Sequence, residues 1–268
     1  MFKGQCWWIT GASSGIGKAI AQALAAKGAS LILSGRNVAA LEAVAQDCSD
    51  ALVLPFEATR FDEIPAITNQ AWDWKGRIDG LVNNAGISQR SLAAETDFKV
   101  YQQLIDVDLL APIALTQAVL PKMLAVGGGR IVAISSVAGI VGVPMRSAYC
   151  AAKHGLIGYH DSVRAENEHL GLQVHVISPG SVNTDVSRNA LTAGGAKRGV
   201  SDAAIDNGMP PAESAEQIIA AIEAGTRELI LATGAEYDIV QLRRHNPDAL
   251  FDLVSNMVRE GYAQTMNE

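Results

Sequence analysis

Three side chains have the chemistry to move a proton and polarise an oxygen: Ser136, Tyr149 and Lys153. A tyrosine phenol ordinarily titrates near about 10, which makes it a poor acid–base catalyst at neutral pH. An ammonium beside it favours the phenolate and brings the group toward a usable range. Tyr149 and Lys153 stand four residues apart, so on a helix they share one face, a turn apart. Ser136 follows an apolar run that reads as a strand, at its carboxyl end. Hydroxyl donors from Ser136 and Tyr149 converging on one oxygen would stabilise the charge that develops there as a hydride reaches the adjoining carbon. That chemistry is the interconversion of a carbonyl and an alcohol. A Tyr-x-x-x-Lys spacing is common by chance, so the rest of the chain must support it.

The turn Thr10-Gly11-Ala12-Ser13-Ser14-Gly15-Ile16-Gly17 supplies such support. It follows the apolar run CWWIT and opens the helical pattern KAIAQALAAKG. Gly11 permits a tight turn, Gly15 lets the backbone approach a pyrophosphate, and Gly17 allows close packing of helix on strand. The helix start offers free N–H groups and a positive dipole end. A dinucleotide is the expected ligand. A carboxylate at the end of the second strand would bond a ribose 2′-hydroxyl and favour NAD(H). The chain has Ser34-Gly35-Arg36-Asn37 there, and Arg36 is placed to pair with a 2′-phosphate. NADP(H) is therefore expected in preference to NAD(H).

These motifs need strands and helices to hold them. Apolar runs at 6–10, 30–34, 51–55, 79–83, 130–135 and 173–178 read as buried strands, with one more at 228–232. Helical patterns fill 15–28, 37–48, 61–74, 97–126 and 147–170, with another near 212–224. The alternation predicts an α/β fold: one Rossmann-type, doubly wound parallel sheet of about seven strands, covered by helices on both faces. No Pro- or Ser-rich linker divides the chain, so residues 1–268 are expected as a single domain. The segment 187–211, rich in Gly, Ala and polar residues, is expected as a mobile substrate lid. The tail 237–268 reads as helical, with a break at Asn246-Pro247.

Composition narrows the partners. Hydrophobic residues make up 49% of the 268 and charged residues 18%, a globular balance that excludes intrinsic disorder. The net charge of -7 gives no field to attract nucleic acid or an anionic membrane, and neither is an expected partner. No run approaches the roughly 18 uninterrupted apolar residues of a membrane helix. The start MFKGQCWWIT lacks a signal-peptide core, and Cys6, Cys48 and Cys150 form an odd, unpaired set. A reduced, cytoplasmic protein is expected. The five histidines show no ligand spacing, so no metal is expected.

Five motifs in order, TGASSGIG at 10–17, NNAG at 83–86, ISS at 134–136, YCAAK at 149–153 and SPGSVNT at 178–184, make the chain similar to the short-chain dehydrogenase/reductases. The run NNAGISQRSL at 83–92, together with RELILA and a longer tail, most resembles the hydroxysteroid dehydrogenase-like and member 7-like subgroup. The resemblance implies Tyr149 as general acid or base. It implies that Lys153 holds the nicotinamide ribose and lowers the tyrosine pKa, and that Ser136 binds the substrate carbonyl. It places Asn83, Asn84, Ala85 and Gly86 beside the adenine-side ribose, and Glu57 and Ala58 near the adenine. Pro179, Gly180, Val182 and Thr184 would contact the nicotinamide end. A homodimer or homotetramer through the two long helices is implied as well.

One position departs from the pattern. Asp108 stands where the family usually carries an Asn whose main-chain carbonyl helps relay protons to the lysine. The carbonyl is preserved, so a working enzyme is expected. The carboxylate would raise the lysine pKa and displace the pH optimum. Val141, Val143, Pro144 and Met145 should line a substrate site for a hydrophobic ketone or secondary alcohol over a sugar or a charged acid, with Val143 beside Ser136 and Tyr149. Two alternatives are 3-oxoacyl-carrier-protein reduction, with Lys197 and Arg198 as the candidate docking charges, and a non-catalytic NADP(H) sensor.

Overall fold

The apolar runs lie side by side in one sheet, in the computed structural model, which describes residues 1–265. The strands are β1 (Cys6–Thr10), β2 (Ser30–Ser34), β3 (Ala51–Val53), β4 (Gly80–Asn83), β5 (Gly129–Ile134), β6 (Leu172–Pro179) and β7 (Glu228–Leu231). All pairings are parallel, in the order β3-β2-β1-β4-β5-β6-β7. The helices are α1 (Gly15–Ala26), α2 (Val38–Gln46), α3 (Ile64–Lys75), α4 (Phe98–Ile105), α5 (Ala111–Ala125) and α6 (Ser147–Asn167). They continue with α7 (Ala203–Asp206), α8 (Pro211–Glu223), α9 (Gly234–His245), α10 (Pro247–Arg259) and α11 (Tyr262–Thr265). This is the expected doubly wound sheet. Its order reverses between β1 and β4, and a doubly wound sheet takes its ligand at such a point, beyond the carboxyl ends of the strands.

Two apolar layers sandwich the sheet, which is why β1 is buried at every residue. Trp7 packs on one face with Ile20 and Leu24 of α1, Leu41 of α2, and Ile218 and Ile222 of α8. Its neighbour Trp8 points to the other face, among Ile64 and Ala71 of α3, Leu115 and Val119 of α5, and Val163 of α6. Each indole N–H is satisfied: Trp7 donates to Gln5 Oε1 at 3.0 Å and Trp8 to Ser34 Oγ at 2.8 Å. Both tryptophans are core, as their place in a strand predicts.

Most element ends differ from the sequence reading by a residue or a few, and three departures have a cause in the chain. β3 ends at Val53 because Pro55 has no N–H for a ladder. The tail's helix starts earlier, at Gly234, and breaks at Asn246, whose Oδ1 accepts from Ala249 N to cap α10; residues 266–268 lie outside the described residues. The expected long helix at 97–126 is interrupted by a π-turn, Asp106–Leu110, between α4 and α5. Pro112 explains it. In an unbroken α-helix its missing N–H would leave the Asp108 carbonyl without a partner, and a wider turn with Ala111 N donating to Asp106 O takes its place. The run Phe98–Ala125 is long and apolar enough to cross a bilayer, yet its Val100, Leu104, Leu115, Val119 and Met123 are buried in the protein core.

Gly80 on β4 is where the sheet has least room. A Cβ there would sit 2.2 Å from the Trp7 ring. Gly80→Ala should lower stability by about 1–3 kcal/mol in urea denaturation, since neither the ring nor the strand can retreat from a packed core. An unchanged midpoint would mean that Trp7 has free space to move into.

Candidate active site

The carboxyl ends of β1 and β4 are fastened together by a threonine and an asparagine. Thr10 Oγ1 accepts from the N–H groups of Asn84 and Ala85 at 3.0 and 3.1 Å, and donates to Val82 O at 3.2 Å. Asn84 Nδ2 returns to Thr10 O at 3.0 Å and Gly11 O at 3.3 Å. Gly11 has φ +65, and a Cβ on it would meet Asn84 Nδ2 at 2.8 Å; one on Gly17 would meet Gly11 O at 2.4 Å. The glycines thus let α1 and the β4 loop close on the turn. Ser14 caps α1 with extended backbone and no side-chain bond, which leaves the leading N–H groups open. Half-buried Ser13, Gly15 and Ile16 surround that helix start, and Thr184 faces it, since a Cβ on Gly15 would lie 3.0 Å from Thr184 Cγ2. These residues fit a pyrophosphate.

On the β2 side of this cradle Arg36 is exposed just past the strand, with Nη1 3.7 Å from Glu57 Oε2. Ser13 Oγ borders Gly35, and Glu57 Oε1 accepts from Thr59 N–H and Oγ1, beside half-buried Ala58. At the opposite end, Pro179 closes β6, Gly180 N–H donates to Leu231 O at 2.9 Å, and Val182 is buried in a bridge to Met209. Glu236 of α9 holds this loop by accepting from Ser181 N–H at 2.8 Å and Ser181 Oγ at 2.7 Å.

Lys153 joins the two halves. Its Nζ donates to Ile134 O at 3.1 Å, lies 3.3 Å from Asp108 Oδ2, and stands 5.6 Å from the centre of the Tyr149 ring. Asp108 is fully buried, and its Oδ1 accepts from Ile87 N–H at 2.8 Å. Oδ2 has no aligned hydrogen bond, so its contact with the ammonium is chiefly Coulombic. Gly86 covers the pair: a Cβ on it would lie 3.1 Å from Oδ2 and 3.4 Å from Nζ. Burial works against the Lys153 ammonium, but the Asp108 carboxylate and the Tyr149 oxygen outweigh it and hold its pKa above the ordinary lysine value. Burial pushes the Asp108 carboxyl up as well, opposed by Lys153 and the Ile87 N–H. Both Asp108 oxygens face donors, so the contacts favour the ionised pair.

Ser136 begins a short 3₁₀ turn, Val137–Gly139, as its cap. Its Oγ accepts from Ala138 N–H at 3.1 Å and donates to Pro179 O at 3.4 Å. Ser135, one residue earlier, bonds Lys153 O at 3.1 Å and ties β5 to α6. Asn83 faces the core instead of the cleft: it is buried, and its Nδ2 donates to Thr116 Oγ1 at 3.0 Å. Half-buried Val143 gives its N–H to Cys150 Sγ at 3.3 Å, which accounts for a cysteine beside the tyrosine. Burial pushes that thiol up, away from reactivity.

Sequence reasoning missed the ties around the lid. Buried Gln89 Oε1 caps α6 by accepting from Ala148 N–H at 2.9 Å, and Gln89 bridges to Leu191. Buried Arg90 meets Asp202, 112 positions away, through Nε at 2.8 Å and Nη2 at 2.5 Å. Ser187 Oγ accepts from Asp202 N–H at 3.0 Å. The segment 187–211 is therefore anchored to the β4 loop at several points. A pair so distant in sequence leaves no periodic trace.

Comparison with known proteins agrees with this arrangement. The family model described as short chain dehydrogenase matches residues 5–193. The chain is similar to dehydrogenase/reductase SDR family member 7B of Bos taurus, 36% identical over 262 residues, covering 94% of this chain and 81% of that one. Its fold is similar to a short-chain dehydrogenase from Streptomyces avermitilis, with TM-score 0.81 at 28% identity over 96% of this chain and 98% of the other. A metagenomic short-chain oxidoreductase solved with NADP is also similar, with TM-score 0.70 and 30% identity over 85% and 97% of the two chains. The turn at the end of β1, the locked β4 loop and the Tyr149–Lys153 face of α6 thus belong to a member of the short-chain dehydrogenase/reductase family, an oxidoreductase of CH–OH groups that uses a nicotinamide cofactor.

Proposed function

We propose that the protein interconverts a ketone and a secondary alcohol on a substrate with an apolar body, using NADP(H) in preference to NAD(H). The observation that carries this reading is the buried Lys153 ammonium beside the Tyr149 ring, at the carboxyl ends of the strands. A bound nicotinamide would supply or take up the hydride at the substrate carbon. Tyr149 gives its phenolic proton to the carbonyl oxygen in reduction and takes it back in oxidation. Lys153 faces the negative charge left on the phenol, and with Nζ engaged by Ile134 O and Asp108 it keeps a third N–H for a ribose hydroxyl. The proton of the Ser136 hydroxyl makes only a long bond, to Pro179 O, so it can turn to the substrate oxygen at little cost while Oγ keeps its bond from Ala138 N–H. Asp108, ionised against Lys153, keeps that amine charged.

An apolar substrate suits the surroundings of Tyr149, where half-buried Ile87 and Tyr101 pack over the buried cluster of Val100, Leu104, Ala148 and Leu191. The preference for NADP(H) rests on Arg36 at the end of β2 and on the absence of a carboxylate there. Glu57 lies near Arg36, but a pair this exposed is weak and yields readily to a phosphate.

Tyr149→Phe removes the proton donor and keeps the ring, so turnover on ketones should fall roughly 10²–10⁴-fold with nucleotide binding retained. The measurement is NADPH oxidation over ketones graded in size, alongside nucleotide fluorescence titration; surviving turnover on every ketone reduced by the parent would remove Tyr149 from the proton transfer. Arg36→Ala should raise KM for NADPH by about tenfold or more and leave KM for NADH nearly unchanged. A parent enzyme that prefers NADH would end the NADP(H) assignment.

A further inference from the structure

Arg146 stands at the entrance to α6, three positions before Tyr149, and the roles above make no use of it. It follows Met145, whose φ of 63 is the one left-handed non-glycine backbone among the described residues. Its Nη2 reaches Asp202 Oδ2 at 3.3 Å, and this is its one side-chain hydrogen bond among the described residues. Its Nε is buried without a partner, and the side chain as a whole is 20% exposed. Asp202 cannot serve it well. The same Oδ2 already accepts Nε and Nη2 of Arg90, and Oδ1 accepts from Arg198.

Arg90 is by contrast fully used, since its Nη1 also donates to Ser88 Oγ at 2.8 Å and Gln89 O at 2.7 Å. Arg90 N–H donates to Leu191 O at 2.8 Å, and Leu191 packs in one cluster with Tyr149, so the guanidinium groups that share Asp202 lie beside the wall next to the phenol. Arg90 and Arg146 thus share a single carboxylate oxygen, and Arg146 holds the longer contact. A guanidinium whose counter-ion is shared and whose Nε lacks a partner gains when a further anion meets it.

We propose that Arg146 binds a carboxylate on the substrate, so that the preferred substrates are oxo acids and hydroxy acids with an apolar segment between the reacting carbon and the acid. This rests on the hydride-transfer reading and names the substrate class of the same site. One planar guanidinium, already sharing a counter-ion, offers about one unit of charge in a forked geometry, which suits a monoanionic carboxylate. Half-buried Ile87 and Tyr101, packed in the same cluster as Tyr149, would hold the segment between the two polar ends.

The test compares kcat/KM for oxo acids with their neutral amides: levulinate and levulinamide, para-acetylbenzoate and para-acetylbenzamide, and a medium-chain oxo acid with its amide. The acid of at least one pair should be preferred by roughly tenfold or more, mainly through KM, as a charge-assisted hydrogen bond requires. In Arg146→Gln that ratio should fall to about one, and Arg146→Lys should restore part of it. Equal kcat/KM for acid and amide in every pair overturns the carboxylate assignment and leaves the hydride-transfer reading intact. An acid preference unchanged in Arg146→Gln overturns the role of Arg146. Absence of cofactor turnover with acids and amides alike, and with the graded ketones, overturns both readings. If Arg146→Gln fails to fold, the acid-to-amide ratio of the parent still decides.

Discussion

Taking an ammonium and a carboxylate out of water costs several kcal/mol per ion before their attraction is counted, and removing one partner leaves the other stranded. The Lys153–Asp108 pair imposes that constraint on everything near it. Lys153 must come from the inner face of α6, and Ile134 O must accept from it at the end of β5. Asp108 must point inward from a helix whose regular turn Pro112 prevents. The β4 loop must cross directly above, which Gly86 allows and a side chain would obstruct. Four separate elements meet at one ion pair, and the Tyr149 ring lies over its positive end.

The rest of the cleft follows from how these elements are fixed to one another. Thr10 and Asn84 lock the phosphate turn to the β4 loop, Ser135 locks β5 to α6, and Gln89 caps the helix that carries Tyr149 and Lys153. Most of these bonds run between side chain and backbone, so they fix loop positions with short, stiff side chains. The lid segment joins the same framework through Arg90 and Asp202. Burial alone would raise the Asp202 carboxyl, but Arg90, with Ser187 and Arg198, holds it down at about 2. That anchor therefore persists through neutral pH and weakens only as acid approaches this low value.

Much of this was legible in the sequence because it is written locally. A fully covered parallel strand is a short apolar run, and CWWIT, SLILS and RIVAI needed no further context. The phosphate turn and the Tyr149–Lys153 spacing each fall within a few residues, so they could be placed at strand ends and on one helix face. Asp108 was visible as a departure, and its pairing with Lys153 followed from charge. The π-turn around it was not visible, because α- and π-turns share an apolar pattern; Pro112 was the clue. The Arg90–Asp202–Arg146 cluster was illegible for a different reason. Its members come from three loops, and only the folded chain shows that one carboxylate serves several guanidinium groups.

The decisive observable is the charge on Lys153 itself. A ¹⁵N NMR titration of its Nζ in the parent and in Asp108→Asn reads it directly. A raised folded pKa means that the charge on Lys153 contributes stability fully below the ordinary lysine value of 10.5 and loses it as pH rises through the folded value. The parent should thus remain an ammonium as pH passes 10.5, while the Asn variant, left with burial and no counter-ion, should lose its proton at a lower pH. A parent amine that is already neutral near pH 8, or one that titrates identically in both proteins, would contradict the account.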